Sequence, residues 1–410
     1  SANGSMIPCI YSSVKTDRGD NKMKTLIKNG QVYINRHFEK KDLLLDDRRI
    51  AVIGDFLEPE DADTAVYDAE GCYVTPGFID VHTHGGFGVD VNAATQEDYE
   101  KIGHFFAKEG TTSWHCSILT DTEEQTDWCI KEAVKHHEAN TAAGQPHGNC
   151  ADLMGIHLEG PFLASEYKGA MPEYLLRTAD MQLLKHYQET AGGFIHYITV
   201  SPEVAGIPEH VKDIIEMGIK VAIGHSGADY ATSWTCINAG AAAATHTFNA
   251  MRLFHQHEPA IMGAVLESDV YCEAICDGRH LHPGSVRFLL KMKGYDRVIA
   301  ITDSIMAAGL PDGNYKLGVN DVIVEEGDAK LKDGTRAGST LTTGQAFRNL
   351  MKFTGESPEK ILPLLTENPA TMLGLQNSIG FIGEGRDADI LIMDSEFQIK
   401  DTFVKGRRIS

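Results

Sequence analysis

The chain lacks a basic surplus: 37 lysines and arginines stand against 58 aspartates and glutamates, a formal net charge of −21. Binding DNA or RNA needs a basic footprint, so nucleic acid is excluded as a partner. No run of about 18 or more apolar residues is present, which argues against a membrane-spanning helix and a membrane partner. Cysteine is sparse and scattered. Cys9, Cys72, Cys116, Cys129, Cys150, Cys236, Cys272 and Cys276 form no CxxC pair, a usage that fits reduced thiols in a cytoplasmic protein better than a disulfide framework. The N-terminus lacks a basic region followed by an apolar core, so no signal peptide is expected. Ser1 to Asn21 are polar and patternless, and Ser1-Ala2-Asn3-Gly4-Ser5 reads as a cloning remnant. Residues 1–22 are therefore expected to be a disordered leader, with order beginning near Met23.

What is present is a globular composition. Hydrophobic residues make up 42% of 410 positions, enough for a large barrel carrying a small satellite. Short strand-like runs open the chain at Lys24 to Ile34 and Arg49 to Ile53, with Asn29-Gly30 as a turn signal. Val66 to Asp68 and Cys72 to Val74 continue them, and Gly380 to Ile382, Ala388 to Met393 and Phe403 to Gly406 echo them at the C-terminus. The two ends, residues 23–76 and 366–410, are expected to form one small β-sandwich domain.

Between them, residues 77–365 alternate apolar runs of strand length with helical patterns, the signature of parallel βα units. Eight runs qualify: Phe78–Val81, Ser113–Leu119, Gly155–Leu158, Ile195–Val200, Lys220–Ile223, Ala241–Ala244, Tyr271–Ile275 and Val298–Ile301. The fold class is therefore read as α/β, a (β/α)8 TIM-type barrel, whose chemistry sits at the carboxyl ends of the strands. An open doubly wound sheet is the alternative, although no GxGxxG or P-loop follows the first strand.

Those strand ends carry a restricted set of side chains. The first ends in His82 and His84, two apart and so on one face of the strand. The third ends in Glu159, the fifth in His225, the sixth in His246, and the eighth in Asp303. One such residue is ordinary; six metal-competent side chains at the ends of five strands point to a metal centre. Imidazole and carboxylate without thiolate suit a catalytic divalent ion, with zinc first and iron or manganese as alternatives. A carboxylate such as Glu159 can bridge two ions, and metal coordination lowers the pKa of water to roughly 7. Asp303 is placed to take that water's proton and return it to a leaving amine. Those parts describe hydrolysis of an amide or related C–N bond.

The segments PGFIDVHTHG, HLEGPFL with its following KGA, GHS, THTFNAM, DGRHLHP, TDS, AGSTLT, ENPATMLGL and GRDADILIMD carry a family resemblance. From about Thr75 to Asp394 the chain resembles the N-acetylglucosamine-6-phosphate deacetylases of the amidohydrolase superfamily. The resemblance implies a barrel with a small β domain built from both termini, a homodimer, an amino-sugar substrate, and one or two metal ions per subunit. Glu159, His225 and His246 match the main ligands, His82 and His84 a second-site pair, and Asp303 the catalytic acid/base. Asn249, Ala250 and His280 match substrate contacts, as does the loop Arg336-Ala337-Gly338.

Two positions depart from the family pattern. The arginine expected to meet phosphate, often from a neighbouring subunit, is His257 here, without the fixed guanidinium fork. The KGAH of the family reads Lys168-Gly169-Ala170-Met171, and the Met171 thioether cannot donate a hydrogen bond to an acetyl carbonyl. Carbonyl polarisation would then fall to a metal ion. These departures leave the reaction class standing and the substrate open: N-acetylglucosamine 6-phosphate, its galacto epimer, an unphosphorylated N-acetyl sugar, or another N-acyl or cyclic-amide compound. Arg252, Arg279 and Arg336 are the candidates to supply a missing cation.

Overall fold

A computed structural model of the chain describes residues 23–59, 61–142 and 147–410; the leader expected over residues 1–22 lies outside them. Both termini meet in one 8-stranded sheet. Its first three strands, Lys24–Ile34, His37–Asp46 and Arg49–Gly54, run antiparallel. Ala65–Asp68 and Tyr73–Pro76 pair parallel to the first, and Ile390–Met393 then joins Tyr73–Pro76 antiparallel. Ile399–Val404 and Arg407–Arg408 finish the edge. Alternating side chains, among them Ile27, Val32, Leu43, Leu45, Ile390 and Phe403, form this sheet's own core.

Two local expectations fail here. Asn29-Gly30 is not a hairpin turn: it lies inside the first strand, where the register shifts between Ile27 and Gly30 as a β-bulge. The hairpin turns instead at Asn35-Arg36, whose φ values of 50° and 62° suit the mirror-image turns that match strand twist. Gly380 to Ile382 form no strand but a bend, with Gly380 at φ 83°.

The second 8-stranded sheet is the barrel. Its strands are Phe78–Thr83, Thr111–Leu119, Asp152–Glu159, Ile195–Val200, Lys220–Ile223, Ala243–Ala244, Tyr271–Ile275 and Val298–Ile301, all parallel and adjacent in chain order. Phe78–Thr83 and Thr111–Leu119 are buried at every position, as expected of strands covered on both faces. The first and last strands meet through backbone bonds at their carboxyl ends. Asp303 N–H donates to His82 O at 2.9 Å and His84 N–H to Ser304 O at 2.8 Å.

Several helices start at polar caps. Thr95 and Asp98 form a reciprocal capping box on Gln96–Lys108, and Asp180, Asp229 and Thr342 cap Met181–Thr190, Tyr230–Asn238 and Thr343–Thr354. A three-stranded sheet, Gly313–Leu317, Asn320–Glu325 and Asp328–Lys330, folds over the eighth strand's end. Beneath it lies a separate apolar cluster that includes Leu119, Met171, Ile305, Leu317 and Ala337. The described cysteines are all buried and unpaired, and no helix among the described residues is long and apolar enough to cross a membrane.

Candidate active site

The carboxyl rim of the barrel converges on Glu159. At the end of Phe78–Thr83 the chain must turn sharply past Gly85, where a Cβ would stand 2.3 Å from Val89 O and 2.9 Å from Met306 N. That turn leaves His82 and His84 side by side, both buried, with Nε2 atoms 3.2 Å apart. Beyond the fifth, sixth and eighth strands, His225, His246 and Asp303 take φ values of 47°, 27° and 48°. Positive φ is rare for residues with a Cβ, and such strain collects at functional sites where the surrounding fold enforces it.

Glu159 is held by four imidazoles. Its Oε2 lies 2.9 Å from His84 Nε2, and its Oε1 lies 3.0, 3.2 and 3.5 Å from the Nε2 atoms of His225, His246 and His82. Asp303 Oδ1 stands 3.2 Å from His84 Nε2 and 3.5 Å from His82 Nε2. Two triads, His82–His84–Glu159 and Glu159–His225–His246, bring one donor atom from each member within 4.8 Å of the others. Glu159 is common to both.

The rings are oriented from behind. His84 Nδ1 lies 2.9 Å from Ser117 O, and His225 Nδ1 lies 2.8 Å from Tyr167 O. A carbonyl only accepts, so both Nδ1 atoms carry the proton and, in neutral rings, Nε2 keeps its lone pair toward the cluster. His82 Nδ1 faces the buried carboxylate Glu273 at 2.9 Å. His246 Nδ1 is buried without a partner among the described residues.

The cluster is short of fixed positive charge. Glu159, Asp303 and Glu273 are buried together, and the ion pairs that reach them come from histidines rather than lysine or arginine. Burial alone would depress the His84 imidazole, but Glu159 and Asp303 push it up to about 9. His82 rises well above its ordinary value for the same reason, with Asp303, Glu159 and Glu273 outweighing burial. Burial likewise opposes the ionised forms of Glu159 and Asp303, yet the neighbouring imidazoles hold both below the usual carboxylate range. In their neutral form the rings offer paired Nε2 lone pairs, 3.2 Å apart in His82–His84 and 3.0 Å apart in His225–His246, facing buried carboxylates, a donor set that fits a divalent cation displacing the protons. His82, His84, Glu159, His225 and His246 would hold it, with Asp303 alongside.

A cavity of about 460 Å³ opens onto this cluster. Its wall takes in Ala170, Met171, Asn249, Ala250, His280, Arg336 and Gly338 among the residues expected from sequence. Asp277 accepts the His280 Nδ1 proton at 2.7 Å, which turns Nε2 away from it. Two expected residues are not brought to the wall. Ala337 is buried in the apolar cluster under the three-stranded sheet. His257 is exposed on the loop after the sixth strand, its ring 5.3 Å from that of His255.

Of the arginines considered as replacement cations, Arg252 pairs with Glu258 and Arg279 donates to Glu326 O. Arg336 forks onto Asp328 at 3.0 and 3.2 Å. Sequence reasoning passed over Lys168 and Tyr167, which lie on the cavity wall, although the KGA motif marked that segment. It also missed Glu273, whose signal was a charged residue in the middle of an apolar strand.

Comparisons with known proteins bear on the fold and the reaction class. Residues 73–409 match the model of the amidohydrolase family. An N-acetylglucosamine-6-phosphate deacetylase of Lysinibacillus sphaericus is 34% identical over 370 residues, 90% of this chain and 93% of that one. An N-acetylgalactosamine-6-phosphate deacetylase of Escherichia coli is 30% identical over 370 residues, covering 89% of this chain and 96% of its own. The crystal structure of N-acetylglucosamine-6-phosphate deacetylase from Pasteurella multocida superposes with a TM-score of 0.87 at 27% identity, over 94% of this chain and 99% of that one. The protein is thus a (β/α)8 hydrolase of a C–N amide bond, and it belongs to the amidohydrolase family, among the N-acetylglucosamine-6-phosphate deacetylases.

Proposed function

We propose that the chain is a divalent-metal-dependent deacetylase of an N-acetylhexosamine 6-phosphate, with N-acetylglucosamine 6-phosphate as its leading substrate. The observation that carries this reading is the pair of triads sharing Glu159 at the floor of the 460 Å³ cavity, with Asp303 beside them. A cation held there supplies Lewis acidity toward the acetyl carbonyl and lowers the pKa of water. Zinc fits the donor set first, and two ions are favoured because His82 and His84 are both retained.

The remaining work belongs to the chain. Asp303 accepts the water proton and delivers it to the departing amine. Glu159 has both oxygens engaged with imidazoles, so it serves as a fixed ligand rather than a proton carrier. Met171 contributes shape: buried in the apolar cluster and on the cavity wall, it offers the substrate a surface without a donor. His280, Asn249 and Ala250 line the cavity where a sugar phosphate would lie. In a homodimer His257, exposed on its loop, is available to a neighbouring subunit's substrate.

The similarity to an enzyme named for the galacto epimer makes N-acetylgalactosamine 6-phosphate the second substrate to test. Acetate release is measured on N-acetylglucosamine and N-acetylgalactosamine, each with and without the 6-phosphate, before and after chelation and metal restoration. Turnover of a 6-phosphate that disappears with chelator and returns with zinc is the expected result. No acetate from any of the four by metal-replete protein sinks the proposal and directs the search to N-acyl amino acids and cyclic amides.

A further inference from the structure

One fully buried carboxylate in the barrel has no part in the chemistry above. Glu273 stands in the middle of Tyr271–Ile275, its side chain turned into the barrel interior. Three donors converge on it. Its Oε2 accepts from His82 Nδ1 at 2.9 Å and from the backbone N–H of His246 at 3.1 Å. Its Oε1 accepts from the Tyr197 hydroxyl at 2.7 Å. A single oxygen therefore touches a member of each triad.

An ionised carboxylate buried without a counter-charge costs several kcal/mol. Among the described residues, the ion pair given to Glu273 is with His82. Positive charge reaches Glu273 through the His82 ring, either as a proton or as a cation on Nε2. With Nδ1–H pledged to Glu273, Nε2 is left facing His84 Nε2 at 3.2 Å and Glu159 Oε1 at 3.5 Å. Carboxylates behind a ligating imidazole fix its tautomer and raise its basicity. Among the described residues, His82 alone in the cluster has one: His84 and His225 use carbonyls, and His246 Nδ1 has no partner there.

We propose that Glu273 is a positioning residue for a divalent cation: it locks His82 in its Nδ1–H tautomer, aims Nε2 at the cluster, and ties the two triads together through one shared oxygen. The inference rests on the reading of those triads as cation sites. Losing Glu273 strikes the His82–His84 side hardest, because His82 loses its side-chain partner whereas His246 loses only a backbone contact.

The test uses the full chain stripped of metal, with Zn²⁺ and Mn²⁺ each titrated against a competing chelator. In Glu273→Gln the affinity for an ion is expected to fall about tenfold or more, the usual effect of removing such an outer carboxylate. The unfolding midpoint measured in chelator should stay within a few degrees, separating positioning from general destabilisation. Tyr197→Phe, which leaves the carboxylate and its bond to His82 intact, should bind ions within about threefold of the unsubstituted protein. Unchanged affinity in Glu273→Gln overturns the inference and leaves the metal reading standing. An unsubstituted protein that binds neither ion sinks both. Should Glu273→Gln fail to fold, the tautomer is read in the unsubstituted, metal-loaded protein by proton–nitrogen correlation of its histidine rings. A ring proton on His82 Nδ1, assigned by its loss in His82→Asn, supports the inference; a proton on Nε2 overturns it.

Discussion

Asp303→Asn isolates the proton-transfer role. The substitution keeps the shape of the side chain and the strained turn after the eighth strand, and removes only charge and basicity. Asp303 Oδ1 lies 3.2 Å from His84 Nε2 and 3.5 Å from His82 Nε2, so an amide there still meets the same neighbours. A positioned acid/base contributes roughly 10²- to 10⁴-fold to rate, or about 3–5 kcal/mol of barrier. The structure favours the upper half of that range. Glu159 has both oxygens engaged with imidazoles, so it is not free to take over. The expected loss in kcat is therefore about 10³-fold or more. Because the interaction is made in the transition state, kcat and kcat/KM should fall together. Acetate release is followed at saturating metal, with bound metal counted in the same preparation. A variant that keeps its metal and retains kcat within about tenfold of the parent would refute the assignment, for another group would then be moving the proton.

Replacing His82 and His84 together by Asn should lower the metal content of the protein and cut acetate release by about 10²-fold or more, since Met171 offers no donor to the carbonyl. Activity that survives the double change favours a one-ion centre. Lys405 joins the two sheets, lying 3.3 Å from Asp152 and 3.4 Å from Asp389 and bonded to Asp387. Lys405→Met strands these carboxylates, of which Asp389 is buried and Asp152 and Asp387 partly so, and should cost about 3–5 kcal/mol by urea unfolding, with Lys405→Arg recovering part of the loss. His136 is buried, and burial chiefly lowers its pKa to about 4. A histidine with a depressed folded pKa stabilises above its unfolded value near 6.5 and loses that contribution as pH falls toward 4. Stability should drop by about 2 kcal/mol between pH 7.5 and pH 5 from this group, and His136→Gln should flatten the difference in urea midpoints.

The barrel was legible because its strands are largely buried on both faces, so most of them read as short, mainly apolar runs. Phe78–Thr83 and Thr111–Leu119 show no exposed position. Elements that mix environments were not legible. His37–Asp46 is polar or charged through Asp42 except at Phe38, and its apolar run is Leu43, Leu44 and Leu45, so its first half resembles a loop although it pairs with Lys24–Ile34 on both sides of the bulge. The helix Ala260–Glu267 is apolar on almost every side and presents no 3.6-residue stripe to detect. In Gly313–Leu317 and Asn320–Glu325 buried and exposed positions alternate, but their apolar side covers the small cluster around Ile305 and Met171 rather than the barrel core.

For the site, sequence order located the ligand-type residues at the strand ends but could not orient them. A spacing of two residues puts His82 and His84 on one face; it says nothing about which ring nitrogen points inward. That choice is made by partners far along the chain. The Glu273 carboxylate lies 191 residues from His82, and the Tyr167 carbonyl lies 58 residues from His225. Neither acceptor looks functional in isolation: one is a charged residue inside a strand, the other a backbone carbonyl on a loop. Their chemistry differs in consequence. The carbonyl fixes a tautomer, whereas the carboxylate also carries the counter-charge of the cluster, so removing it changes electrostatics as well as geometry. The Tyr167 carbonyl belongs to the same segment that supplies Lys168, Ala170 and Met171 to the cavity wall. A movement of that segment on substrate binding would therefore reach the His225 ring directly, whereas His82, held from inside the barrel, would stay where Glu273 keeps it.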